Sequence, residues 1–167
     1  METFFFMIVA AVAILASILV ITCKNPINSA LSLILTFFCL ATFYVMLDAP
    51  FMAAIQVIVY AGAIMVLIVF VIMLLNLRTE TGRRTKHTVL IGSLVGIFSL
   101  IQLVYIFKHS SLTGSKGVLT PELIHKVGNT EIIGKALYTD FLLPFELTSI
   151  LLLVAIIGAV ILTKKKI

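Results

Sequence analysis

Five uninterrupted apolar runs, about Phe4–Thr22, Ile27–Leu47, Phe51–Leu75, Thr88–Phe107 and Phe141–Thr163, take up most of this chain. Each is close to the roughly 20 residues that an α-helix needs to cross the hydrocarbon core of a bilayer at about 1.5 Å per residue. Backbone in lipid must satisfy its own N–H and C=O groups, and for runs of this length the helix does so. The predicted fold class is therefore all-α: a polytopic membrane protein of five transmembrane helices, packed as one compact bundle in a single membrane domain over residues 1–167. A 62% hydrophobic share, only 11% charged residues and a mean hydropathy of +1.25 leave no soluble domain large enough for chemistry of its own.

The boundaries carry helix punctuation. Asn25-Pro26 fits an N-cap followed by proline at the first helical position, and Asp48-Ala49-Pro50 is expected to do the same before the third run. Helices one to three are thus joined by very short turns and must pack antiparallel. The next connection, Asn76 to His87, is short and basic. The loop over residues 108–140 is longer, with Ser110, Ser111, Gly114 and Gly117 as irregular chain and Thr120-Pro121-Glu122 as the start of a short surface helix. Residues Met1 to Thr22 lack a basic n-region and their apolar stretch exceeds a normal signal-peptide core, so they are expected to stay as the first helix.

The net charge of +5 does not indicate nucleic-acid binding, because the basic residues gather at the ends of apolar runs instead of along an exposed face with aromatic platforms. Sorted by side, Lys24, Arg78, Arg83, Arg84, Lys86, Lys164, Lys165 and Lys166 face Lys108, Lys116, Lys126 and Lys135. That bias predicts an N-terminus outside and a C-terminus inside. Internal repeats and paired broken helices of the transporter kind are not evident.

Ionisable residues inside spans mark ion pathways and active sites, and these spans are nearly free of them. Glu146, about one and a half turns into the fifth helix, is the exception; an interfacial acid near a helix N-terminus and a proton-handling group both fit it. Its neighbour Pro144 suits the first helical turn. His87, His109 and His125 fall in loops or at span ends, out of place for a haem between helices. Cys23 and Cys39 have neither CxxC spacing nor nearby histidines, and read as packing residues. Phosphate-binding glycine loops and iron–sulfur spacings are absent, so no catalytic residue, metal ligand or cofactor site is expected on this chain. Gly92 and Gly96 form a small-xxx-small face on the fourth helix, a packing feature that implies a neighbouring helix.

The third helix differs from the rest. Gln56 and Tyr60 stand four residues apart, which on a regular helix puts them on one face, and Tyr60-Ala61-Gly62-Ala63 falls near mid-bilayer. An amide and a phenol in hydrocarbon need partners. They fit an interhelical hydrogen bond beside a close-packed glycine, and equally a deformable point such as a π-bulge, an irregularity found where a helix has work to do.

The run Gln56-Val57-Ile58-Val59-Tyr60-Ala61-Gly62-Ala63-Ile64-Met65-Val66-Leu67, continuing through Phe70-Val71-Ile72-Met73-Leu74-Leu75-Asn76, closely resembles the J subunit family of bacterial NADH-quinone oxidoreductase, respiratory complex I, whose mitochondrial counterpart is NADH dehydrogenase subunit 6. Asn25-Pro26-Ile27-Asn28-Ser29-Ala30-Leu31 resembles that family's start of helix two, and Gly134 to Glu146 its approach to helix five. The resemblance runs almost end to end. It implies a non-redox subunit in the membrane arm of a proton pump, in a bacterial inner membrane, beside A-, H-, K- and N-type subunits. It also implies that NADH, FMN, iron–sulfur clusters and quinone are handled on other subunits. In that family the third helix is associated with a π-bulge near the tyrosine matched by Tyr60, whose interconversion with regular helix is proposed to gate a water path; Gly62 would supply the backbone freedom. Gln56 falls where some members carry Glu, which implies orienting water or a neighbouring side chain. Two other readings remain at this stage: a purely structural scaffold in the same complex, and an independent membrane transporter, for which a buried charge or broken helix pair would be expected.

Overall fold

The computed structural model describes residues 1–75, 86–109, 124 and 126–164, with backbone alone over 86–90. The elements are α1 (Glu2–Thr22), α2 (Pro26–Met46), α3 (Pro50–Leu74), α4 (Lys86–His109), α5 (Asn129–Tyr138) and α6 (Leu142–Thr163). Five of them, all except α5, are long and apolar enough to cross a membrane, and no strand occurs among the described residues. The expectations placed on Arg78, Arg83, Arg84, Lys116, Lys165, Lys166, His125, Thr120-Pro121-Glu122 and the loop residues around Gly114 lie outside the described residues, as do the side chains of Lys86 and His87.

The turn chemistry explains the first three helices. The Asn25 side chain accepts a hydrogen bond from the Ile27 N–H at 2.9 Å, with Pro26 at the first helical position. The second turn works differently from the first. Asp48 sits at φ 55, and the N–H groups of Asp48 and Ala49 donate to the carbonyls of Val45 (3.1 Å) and Tyr44 (2.9 Å). This is a Schellman closure of α2 with an aspartate in the left-handed position that glycine usually takes. The cap of α3 is consequently Ala49, which has no side-chain bond to offer. Asp48 thus ends α2 instead of starting α3.

In lipid there is no hydrophobic force between helices, so close approach depends on small residues, shape and polar contacts. The α1–α2 contact has all three: buried Ala16 and Ala30, the Phe6 and Phe43 rings 5.5 Å apart, and a Ser29 hydroxyl donating to the Val20 carbonyl at 2.5 Å. Helix α2 is the middle of the layer, packing on α1 with one side and along most of α3 with the other.

Compactness stops there. The amphipathic α5 lies later in the 108–140 loop than the expected helix start at Thr120 and begins after Gly128, whose φ of 98 and ψ of 132 suit only glycine. It rests on the first turns of α3 and on α6, where Tyr138 and Phe145 meet edge-on at 5.1 Å. Among the described elements α6 touches α5 alone, and α4 touches none. The chain exposes 14452 Å², against about 8,000 Å² for a compact soluble monomer of this mass. The expected bundle is therefore realised by α1–α3, while α4 and α6 present apolar faces that the described residues do not cover.

Candidate functional site

Helix α3 is not regular. Pro50–Ile55 and Met65–Leu74 are α-helical, and Gln56–Ile64 between them is π-helical over nine residues. The Gln56 N–H still reaches the Met52 carbonyl, four residues back, whereas at the far end the Met65 N–H reaches the Tyr60 carbonyl, five back, which widens the turn. The sequence favours this locally. Ile55, Val57, Ile58 and Val59 place four β-branched side chains in five positions, where they crowd a tight helical turn. Gly62 then relieves the wall: a Cβ added there would stand 3.2 Å from the Val57 carbonyl oxygen, tighter than ordinary contact.

The wide turn changes which residues share a face. On α3 the buried positions are Ala53, Gln56, Ala61 and Met65, spaced by three, five and four. A regular helix holds one face with spacings of three and four only, so the five is one residue inserted without loss of the α2 contact. Gln56 and Tyr60, expected on one face, are separated: Gln56 is 7% exposed and Tyr60 46%. Ala61 takes the place above Gln56 that Tyr60 would hold on a regular helix. Met65, at 1% exposure, seals the end of the wide segment.

Tyr60 leans back toward α2 at the edge of the interface, its ring edge-on to Phe37 with centroids 6.0 Å apart at 64°. Gln56 is the buried polar side chain of this face, an amide beside apolar groups where water or a neighbouring polar group would be welcome. The remaining sequence candidates are not brought here. Glu146 is exposed in the second turn of α6, where its carbonyl accepts from Ser149 Oγ at 2.7 Å, and α6 does not touch α3. Gly92 and Gly96 face open space, with nothing within 4 Å of an added Cβ, so the neighbour they imply does not come from the described part of this chain. Cys39 is buried and Cys23 half-buried, both as free thiols. His109 stacks on Tyr105 at 4.3 Å, at the end of α4. Among the described residues no group of three His, Cys, Asp or Glu side chains could hold a metal ion.

Phe37, Ala61 and Met65 escape a sequence reading. Only the spacing of five reveals the last two, and that spacing is visible only once it is known which side chains are buried.

Comparison with known proteins covers the whole of this region. The model of the family described as NADH-ubiquinone/plastoquinone oxidoreductase chain 6 matches residues 16–162. The NADH-quinone oxidoreductase subunit J of Rickettsia felis is 34% identical over 168 residues, 97% of this chain and 80% of that protein. The chloroplastic NAD(P)H-quinone oxidoreductase subunit 6 of Staurastrum punctulatum is 41% identical, over 84% of this chain and 78% of that protein. NAD(P)H-quinone oxidoreductase chain 6 of the cyanobacterium Synechocystis is 37% identical, over 96% and 79%.

Proposed function

The chain belongs to the NADH-ubiquinone/plastoquinone oxidoreductase chain 6 family, a family of membrane subunits of an enzyme complex, and from that premise we propose that it is a non-redox membrane-arm subunit whose third helix gates a proton path by changing register. The observation that carries this is the π-helical stretch with its buried spacing of three, five and four. A helix holding one surplus residue has a second arrangement within reach. If Gln56–Ile64 reverts to α-helix while Pro50–Ile55 stays docked, everything beyond turns by about 100°. Tyr60 then replaces Ala61 in the α2 interface, and Ile64 replaces Met65. The buried face becomes Ala53, Gln56, Tyr60 and Ile64, with spacings of three, four and four.

The two registers differ chemically. In the π register Ala61 and Met65 fill the interface beside Gln56 with apolar groups. In the α register a phenol and an amide stand one turn apart in the same place, a pair able to hold water between them. Proton movement along that water is enabled in one register and interrupted in the other. The subunit contributes no catalytic group or cofactor site; NADH, FMN, iron–sulfur clusters and quinone belong to other subunits. The uncovered faces of α4, with Gly92 and Gly96, and of α6 receive neighbours of the A, H, K and N type in a bacterial inner membrane. The N-terminus lies outside and the C-terminus inside, by the lysine and arginine bias.

A scaffold role accounts for the open α4 and α6 faces equally well, and the two readings part at Gly62. Gly62→Leu, which crowds the Val57 carbonyl in the π register only, is expected to lower proton translocation per NADH oxidised in assembled, purified complex. Fully coupled turnover in that variant would leave the scaffold reading alone standing.

A further inference from the structure

Among the described residues, Phe37 and Tyr60 form the one aromatic pair that joins α2 to α3. Phe37 is half-buried on α2 and Tyr60 is 46% exposed, so the pair sits on the margin of the interface, not in its core. The centroid distance of 6.0 Å and the 64° tilt are the edge-to-face arrangement that aromatic rings prefer, and it is directional. A turn of about 100° in α3 takes the Tyr60 ring away from that edge and into the interface. The contact therefore belongs to one register. Neither the fill of Ala61 and Met65 nor the clearance at Gly62 depends on it.

We propose that Phe37 is a positioning residue, a ring latch on α2 that holds Tyr60 aside and thereby sets how far α3 favours the π register. This rests on the register change proposed above, and its effect on proton movement rests in addition on that change acting as a gate. The latch works through the tyrosine ring and leaves the hydroxyl unused, since a phenylalanine offers no acceptor. Tyr60 thus arrives in the interface with its hydrogen-bonding capacity intact. Residue 37 is then a tuning position: a ring there favours π, and an aliphatic side chain releases Tyr60.

The test uses the intact complex, frozen during turnover and imaged as single particles sorted by α3 register. Phe37→Leu is expected to raise the α-to-π ratio about two- to tenfold, the weight of one aromatic pair. Phe37→Met gives a second aliphatic variant should the first assemble poorly. Phe37→Tyr, which keeps the ring on α2, is expected to leave the ratio unchanged. Combining Phe37→Leu with Tyr60→Leu is expected to shift the ratio by less than the two single effects together. An unchanged ratio in both aliphatic variants, or strictly additive effects in the pair, overturns the latch. A shifted ratio with unaltered proton-to-electron stoichiometry keeps the latch and removes gating. Uncoupling by Gly62→Leu with no shift in the Phe37 variants does the reverse.

Discussion

Replacing Met65 by alanine is expected to separate the two registers proposed for α3. In the π register Met65 is 1% exposed against α2, while Ile64 beside it is 41% exposed to the membrane. In the α register they exchange places. Met65→Ala therefore opens a cavity in one state and removes three lipid-facing heavy atoms in the other. In water-soluble cores such truncations cost about 2–5 kcal/mol, part of it for transferring apolar atoms out of water. Lipid removes most of that transfer part, because the alternative environment is as apolar as the interface. What survives is the lost packing, which puts the cost near the low end, about 2 kcal/mol. That is about a thirtyfold change in the register ratio in favour of α. Ile64→Ala is the mirror experiment: it costs little in the π register and opens its cavity in the α register. Single-particle imaging of the intact complex, with density for α3 traced through residues 56–65, reads the two populations directly. The pair is expected to shift in opposite directions. Equal effects of the same sign, or no shift in either variant, would refute the exchange of Ile64 for Met65.

Two further outcomes follow from the architecture. Asp48→Val forces a β-branched residue into φ 55 at the Schellman closure of α2 and is expected to lower the thermal stability of the complex by the equivalent of about 1–2 kcal/mol, while Asp48→Asn, which tolerates that conformation, retains most of it; melting of purified complex checks both. Gly92→Leu meets nothing among the described residues, so it is expected to weaken co-purification of neighbouring subunits without altering the α3 register, and a register shift would place α4 in contact with α3.

How far the sequence is legible depends on which physics wrote each part. The five spans are readable to within a few residues because the bilayer imposes length and hydropathy on every one of them, and Asn25-Pro26 behaves as its local chemistry dictates. The Asp48 turn is half-readable: the break is plain, but the left-handed aspartate that closes α2 depends on φ and ψ, which no residue type fixes alone. Helix α5 hides because its ten residues are amphipathic and too short for a hydropathy signal. The separation of α4 and α6 hides because an apolar run specifies lipid or protein as its surroundings without distinguishing them.

The candidate site was legible in its composition and misleading in its geometry. Gln56, Tyr60 and Gly62 stand out in any reading of α3, since a polar amide, a phenol and a glycine are unusual neighbours in mid-membrane. Projecting them on a regular helix puts Gln56 and Tyr60 together. The π turn parts them, and the same turn brings in Ala61 and Met65, which look like any other apolar residues until their burial is seen. The expectation of one shared face fails in this structure because the π turn inserts a residue between them.

That α3 changes register during catalysis is tested most directly by imaging the unaltered complex twice, at rest and frozen while oxidising NADH, and tracing residues 56–65 in each set of particles. Two populations are expected, one with Ala61 and Met65 against α2 and one with Tyr60 and Ile64 there, in proportions that differ between rest and turnover. A single π-helical register in every particle under both conditions would contradict it.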